Sequence, residues 1–262
     1  MNRLHIKHAN FGWLHKPPLP PASCHCLVIQ SDTNVVLIDT GIGMHDIANP
    51  EDRIGRDAID AAGFKFIPKV TAIQQLLLCG IDPSRVSDIV LTHCDSDHVG
   101  GLSDFPDANV HVSFEEKLNV YSGNPRYNLR QFGHGPKWQT YAENDCVTLG
   151  LPSRRVKTEL DVDMRLIPLF GQTNGHCGVC VCVDGLWVLH VGDAYYLRDE
   201  LINKDHPINK LATLRADNDE LRKQTLDSLR TLTSQHSKTL TFFGYHDITE
   251  LPSGIPTLEE VA

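Results

Sequence analysis

The run THCDSDHVGG, residues 92–101, constrains this chain more than any other stretch. Four metal-capable side chains, His93, Asp95, Asp97 and His98, fall within six residues directly after the apolar run VSDIVL. A short apolar run bounded by polar residues reads as a buried strand. In extended backbone residues i and i+2 point the same way, so His93 and Asp95 suit one ion, while the adjacent Asp97 and His98 point differently and suit a second. Gly100 and Gly101 remove bulk where the chain must turn away beneath such a site. Taken alone, the run also fits a polar turn with a satisfied histidine.

Three further signals place a ligand-type residue at the end of an apolar run: His176 in GQTNGHCG, Asp193 in LHVGDAYY and His246 in FFGYHD. With the first four they make seven ligands, enough for two ions. Asp193 has two oxygens and is suited to bridge two cations, between which a water would be acidified toward hydroxide.

The rest of the sequence is expected to fold as one domain over 1–262, since no repeat, low-complexity tract or Ser/Gly linker divides it. CLVIQ and VVLIDTG read as an early hairpin, VTAIQQLLLCGI as a helix stopping at Gly80, and the polar stretch 51–68 as turn-rich. The segment 121–141 reads as a long surface loop, Asp184-Gly185 as a hairpin turn between CGVCVCVD and LWVLHVGD, 217–237 as an amphipathic helix and LTFFGYHD as a last strand. A formal net charge of −9 argues against a long nucleic acid as partner, and no apolar run is long enough to span a bilayer. MNRLHIKHAN lacks the pattern of a secretory signal, so a cytoplasmic location is expected. The eight cysteines are expected to be reduced; CxxC at Cys177 and Cys180 and the Cys24-His25-Cys26 run lack a matching second pair at zinc-site spacing.

The ordered set resembles the metallo-β-lactamase superfamily, whose motif HxHxDH is followed by a histidine in a glycine-rich turn, an aspartate and a C-terminal histidine. The resemblance implies an α/β fold, an αββα sandwich of two mixed β-sheets flanked by helices, with a dinuclear site at one edge. It assigns His93, Asp95 and His176 to metal 1, Asp97, His98 and His246 to metal 2, and shares Asp193. It also implies that Asp39, in LIDTG, supports the site from behind. Asp95 departs from the pattern, which has histidine there. By formal counting the extra carboxylate takes the charge of the two-ion, one-hydroxide site from about +1 to about zero. The cofactors expected are two divalent metal ions, with zinc first and manganese or iron admitted by Asp95.

Substrate is written more weakly. Tyr196, three residues after Asp193, is similar to the tyrosine that polarises the carbonyl in the superfamily's homoserine-lactone hydrolases, with Tyr195 as the fallback. Tyr127, His134, Lys137 and Trp138 lie on the 121–141 segment and are candidates to close over a substrate. His111 and His190 read as core or supporting residues, the direction of His25 is open, and Arg154, Arg155 and Lys157 read as a solvated loop. The expectation is a hydrolase of a small ester, lactone or related acyl substrate, a small molecule rather than nucleic acid or membrane. In it a hydroxide held by two ions attacks, and Asp97 and Tyr196 assist. The alternatives are a small-phosphodiester hydrolase, a di-iron redox or sensing module, and a binding protein that has lost metal 1.

Overall fold

The computed structural model describes residues 4–236 and 239–262. The first sheet is built from β1 (His5–Leu14), β2 (Ala22–Gln30), β3 (Val35–Ile38), β4 (Phe64–Lys65), β5 (Val86–Val90), β6 (Asn109–Ser113) and β7 (Lys137–Tyr141), in the order β4-β1-β2-β3-β5-β6-β7. The second contains β8 (Cys146–Thr148), β9 (Leu151–Val156), β10 (Asp163–Pro168), β11 (Cys177–Val183), β12 (Leu186–His190) and β13 (Leu240–Phe243), in the order β13-β12-β11-β10-β9-β8. Both sheets are mixed: β1, β2 and β3 pair antiparallel before a parallel run through β5, β6 and β7. In the second sheet, β13 joins β12 in parallel beside an antiparallel set.

The two-residue period of the strands sorts their side chains into layers. Leu27, Ile29, Val36, Ile38 and Val90 of the first sheet meet Met164, Leu166, Val179 and Val181 of the second between the sheets. Their strand neighbours Cys26, Val28, Leu37 and Ile89 face outward onto Leu76, Val99, Leu102 and Val120. On the far side Ile167, Cys180 and Leu189 are covered by Leu226, Leu229 and Leu232, one stripe of the helix Asp219–Gln235. The layers are therefore helix, sheet, sheet, helix, the αββα sandwich expected.

Several local readings change. The segment 121–141 is not structureless: Leu129–Phe132 forms a 3-10 turn and Lys137–Tyr141 adds to the sheet edge as β7. The polar stretch 51–68 contains the helix Arg56–Ala62, closed by Gly63 in the left-handed region. Arg154 is no solvated loop residue. It is buried in β9, with Nη1 and Nη2 donating to the Glu115 carboxylate at 2.6 and 2.8 Å, while Arg155 and Lys157 are exposed. β1 carries no clean alternation of apolar and polar residues and is found only in the structure. Among the described residues no helix is long and apolar enough to cross a membrane.

Candidate metal centre

Five chain segments deliver the centre, each where a strand runs out: those after β3, β5, β12 and β13 and the one entering β11. The β5 segment carries His93, Asp95, Asp97 and His98, the turn before β11 carries His176, the turn after β12 carries Asp193, and the chain after β13 carries His246. All seven are buried.

Three of the four histidines are oriented from behind. His98 Nδ1 lies 2.8 Å from Asp39 Oδ2, His176 Nδ1 lies 2.9 Å from the Leu169 carbonyl, and His246 Nδ1 lies 2.9 Å from the Ser23 carbonyl. Each partner can only accept, so Nδ1 carries the proton and Nε2 presents a lone pair forward. Asp39 also accepts the Thr92 N–H at 2.8 Å and the Thr92 hydroxyl at 2.7 Å, tying the end of β3 to the ligand run.

The forward atoms converge. Donor atoms of Asp97, His98 and His246 lie within 4.8 Å of one another, as do those of His93, His98 and Asp193. Asp193 reaches both groups, with Oδ1 3.3 Å from His98 Nε2 and Oδ2 3.3 Å from His246 Nε2 and 3.9 Å from His93 Nε2. His93 Nε2, His98 Nε2, Asp97 Oδ2 and Asp193 Oδ1 are all buried with no hydrogen-bond partner among the described residues. Unpaired buried polar atoms are costly, so a cluster of them aimed at one point fits a cation that completes it. Burial works against a charged His98, yet Asp193, Asp39 and Asp97 together raise its pKa well above the ordinary value, the mark of a field that attracts positive charge. For His176 burial, with His93 beside it, pushes the pKa down to about 3, leaving a neutral imidazole.

Asp95 has partners that the sequence did not reveal. Arg126 forks onto its carboxylate, Nε to Oδ1 at 2.5 Å and Nη2 to Oδ2 at 2.6 Å, and the Gln172 amide adds a donor to Oδ2 at 3.0 Å. Burial opposes the charge on Asp95, but Arg126 and then His93 hold its carboxyl well below the usual range. The charge count that treated Asp95 as an extra negative is corrected: Arg126 cancels it, and the formal sum returns to about +1.

The two tyrosines separate cleanly. Tyr195 is buried behind the site, its hydroxyl donating to Glu250 at 3.0 Å. The Tyr196 ring centroid lies 5.5 Å from that of His246. Burial, reinforced by Asp193, raises its phenol above the ordinary value, and the charges of Arg215, Arg126 and Asp95 also act on it. The expected loop residues do not reach the centre. Tyr127 turns inward to Glu116, Lys137 pairs with Asp107 at the surface, and Trp138 packs on Phe132; Arg126 is the residue of that segment that arrives. His111 sits between Asp88 and Tyr141, 2.8 Å from each, and His25 packs against His8, His190 and Phe243.

Two supporting residues, Tyr245 and Glu116, have no signal in the sequence, while His190 takes the supporting role expected of it. Tyr245 stacks on His98 with centroids 3.7 Å apart and donates its hydroxyl to the Asp97 carbonyl at 2.5 Å. His190 accepts the Gly192 N–H at 3.0 Å in the turn that presents Asp193. Glu116 is buried and joins three segments, accepting from the Cys94 N–H and the Tyr127 hydroxyl at 2.8 Å and the Thr173 hydroxyl at 2.5 Å.

A sandwich with a histidine and aspartate cluster at its strand ends defines a metal-centre architecture. The family model described as the metallo-beta-lactamase superfamily matches residues 19–242, and the chain belongs to that superfamily. It is 37% identical over 185 residues to probable metallo-hydrolases of Mycobacterium bovis and Mycobacterium tuberculosis, a match covering 68% of this chain and 58% of the length of each relative. Among solved structures it is similar to an N-acyl homoserine lactone hydrolase with its product N-hexanoyl-L-homoserine bound at the catalytic metal centre. That likeness has TM-score 0.69 and 17% identity and covers 95% of this chain and 94% of the other. It is also similar to a dizinc quorum-quenching lactonase, with TM-score 0.64, 14% identity and coverage of 97% and 92%. At these identities the solved structures establish the shared fold.

Proposed function

We propose that the chain hydrolyses a small lactone, ester or related acyl compound at a zinc centre formed by His93, Asp97, His98, His176, Asp193 and His246. One observation carries the reading: the Tyr196 phenol stands beside His246 and within the field of Asp193, next to the cluster of unpartnered buried donors. Divalent ions there would supply Lewis acidity and an acidified water at neutral pH. Asp97 Oδ2, buried without a partner, is placed to orient the attacking water and take its proton. Tyr196 donates a hydrogen bond to the oxygen that gains charge as the carbonyl becomes tetrahedral, where a preset donor acts most strongly. With Asp95 neutralised by Arg126, the remaining imidazole-rich set favours zinc over manganese or iron.

The whole of 1–262 is proposed to act as one domain in the cytoplasm. The solved lactone hydrolase with bound product supports the acyl class by analogy of fold. A small phosphodiester is the second reading, favoured by the half-exposed guanidinium of Arg215, 3.9 Å from Asp95. The test is a panel of lactones, aryl esters and phosphodiesters. Turnover of the first two, abolished by chelator and by His98→Ala, is the expected result, and efficient phosphodiester cleavage with lactones and esters untouched overturns the acyl reading.

A further inference from the structure

The two sides of the centre are not equally ready for a cation. On the side of His98 and His246, Asp97 Oδ2, His98 Nε2 and Asp193 Oδ1 are buried and unpartnered. On the side of His93 and His176, only His93 Nε2 is in that condition, because His176 Nε2 already accepts the Asp193 N–H at 3.0 Å. Asp95 would complete that side, with Oδ2 3.4 Å from His93 Nε2, but both its oxygens are committed to Arg126 and Oδ2 also to Gln172.

Arg126 is itself clamped. Its Nη1 donates to the Arg215 carbonyl and lies 3.6 Å from Asp217 Oδ1, and its side chain is only 10% exposed. A planar guanidinium held on three sides cannot swing away as a lysine would. A dication approaching His93 and Asp95 therefore meets a fixed positive charge across the same carboxylate, in surroundings where repulsion is weakly screened.

We infer that Asp95 is the counter-ion of Arg126 rather than a metal ligand, and that this pair makes the His93–His176 side the weaker of two cation positions. The inference rests on the metal-centre reading above. The centre then fills in two separable steps. Asp97, His98, Asp193 and His246 hold the first ion tightly. The second is held by His93, His176 and the shared Asp193, with its affinity set by Arg126 as a positioning residue. Asp95 in turn holds the guanidinium where its charge acts on Tyr196.

The test counts ions, not turnover. The Zn²⁺-loaded full chain is dialysed against increasing concentrations of chelator, and zinc per chain is measured alongside circular dichroism. The wild type is expected to show a plateau at about one ion per chain before complete loss, with the two steps separated by about tenfold or more in chelator. Arg126→Met, which frees Asp95 to bind the metal, should move the weaker step toward the tighter one by about tenfold or more. Should the unpaired Asp95 prevent Arg126→Met from folding, Asp95→His with Arg126→Met removes both charges, restores an imidazole and is expected to hold two ions over the range where the wild type holds one. Loss of both ions in a single step from the wild type, with no change in the folded variant, overturns the inference and leaves the hydrolase reading intact. A folded wild type that retains no zinc at the lowest chelator concentration removes both.

Discussion

Asp39 Oδ2 lies 2.8 Å from His98 Nδ1, on the side of the ring opposite the 3.3 Å approach of Nε2 to Asp193. A carboxylate only accepts, so it fixes the proton on Nδ1 and leaves Nε2 free for a cation. Asp39 has a φ of +57°, a left-handed conformation that asparagine also adopts readily, so Asp39→Asn leaves the turn unstrained. Its Oδ1 must still accept the Thr92 N–H, which turns the amide N–H toward His98 and reverses the tautomer. Zinc affinity is expected to fall about 10–100-fold, measured by chelator competition. An unchanged affinity shows that Asp39 does not set the tautomer.

Tyr196→Phe is expected to lower kcat by about tenfold to a hundredfold on lactones or esters, with zinc content unchanged and KM little altered. The phenol is proposed to interact with charge that develops only in the transition state, so its loss should fall on kcat. Loss of zinc in this variant points instead to a structural role.

The residues that converge at the candidate centre were legible in the sequence because they flank apolar runs, and strand ends are where a sheet brings such residues together. The layers followed from the family resemblance, and the continuous apolar runs of β2, β3 and β11 agree with it, since such runs mark strands covered on both faces. Arg126 was not legible: it lies 31 residues from Asp95 in a stretch without periodicity, and only the tertiary path of that stretch brings the guanidinium to the carboxylate. Glu116 was hidden differently. It lies in the helix Phe114–Tyr121, where a glutamate ordinarily reads as a solvated first-turn residue, and its burial depends on Thr173 and Tyr127 closing over it.

That burial makes Glu116 a pH probe. Burial pushes its carboxyl above the usual value despite the donors around it. A carboxyl with a raised folded pKa binds its proton more tightly in the native state, so it favours folding at low pH and loses that advantage as pH rises from about 4.3 through the folded value. The stability of wild type minus that of Glu116→Gln should therefore fall with rising pH across that window and be flat above it, measured by urea unfolding at several pH values. A difference that rises with pH would mean that the three donors outweigh burial.

Gly192 is the tightest point of the turn that presents Asp193. Its φ is +55°, and a Cβ there would stand 2.6 Å from His176 Nε2 and 2.9 Å from Thr92 Cβ. Gly192→Ala thus combines backbone strain with displacement of the His176 ring. Gly80 isolates the first of these, since it has a φ of +69° and nothing within 4 Å of the Cβ position. Gly80→Ala is expected to cost about 1–2 kcal/mol of stability with zinc retention unchanged. Gly192→Ala should be less stable than Gly80→Ala and should release the weaker zinc at a lower chelator concentration, because His176 must rotate to admit the methyl group. Equal stability and equal zinc retention in the two variants would place His176 away from the Gly192 turn and outside the ligand set.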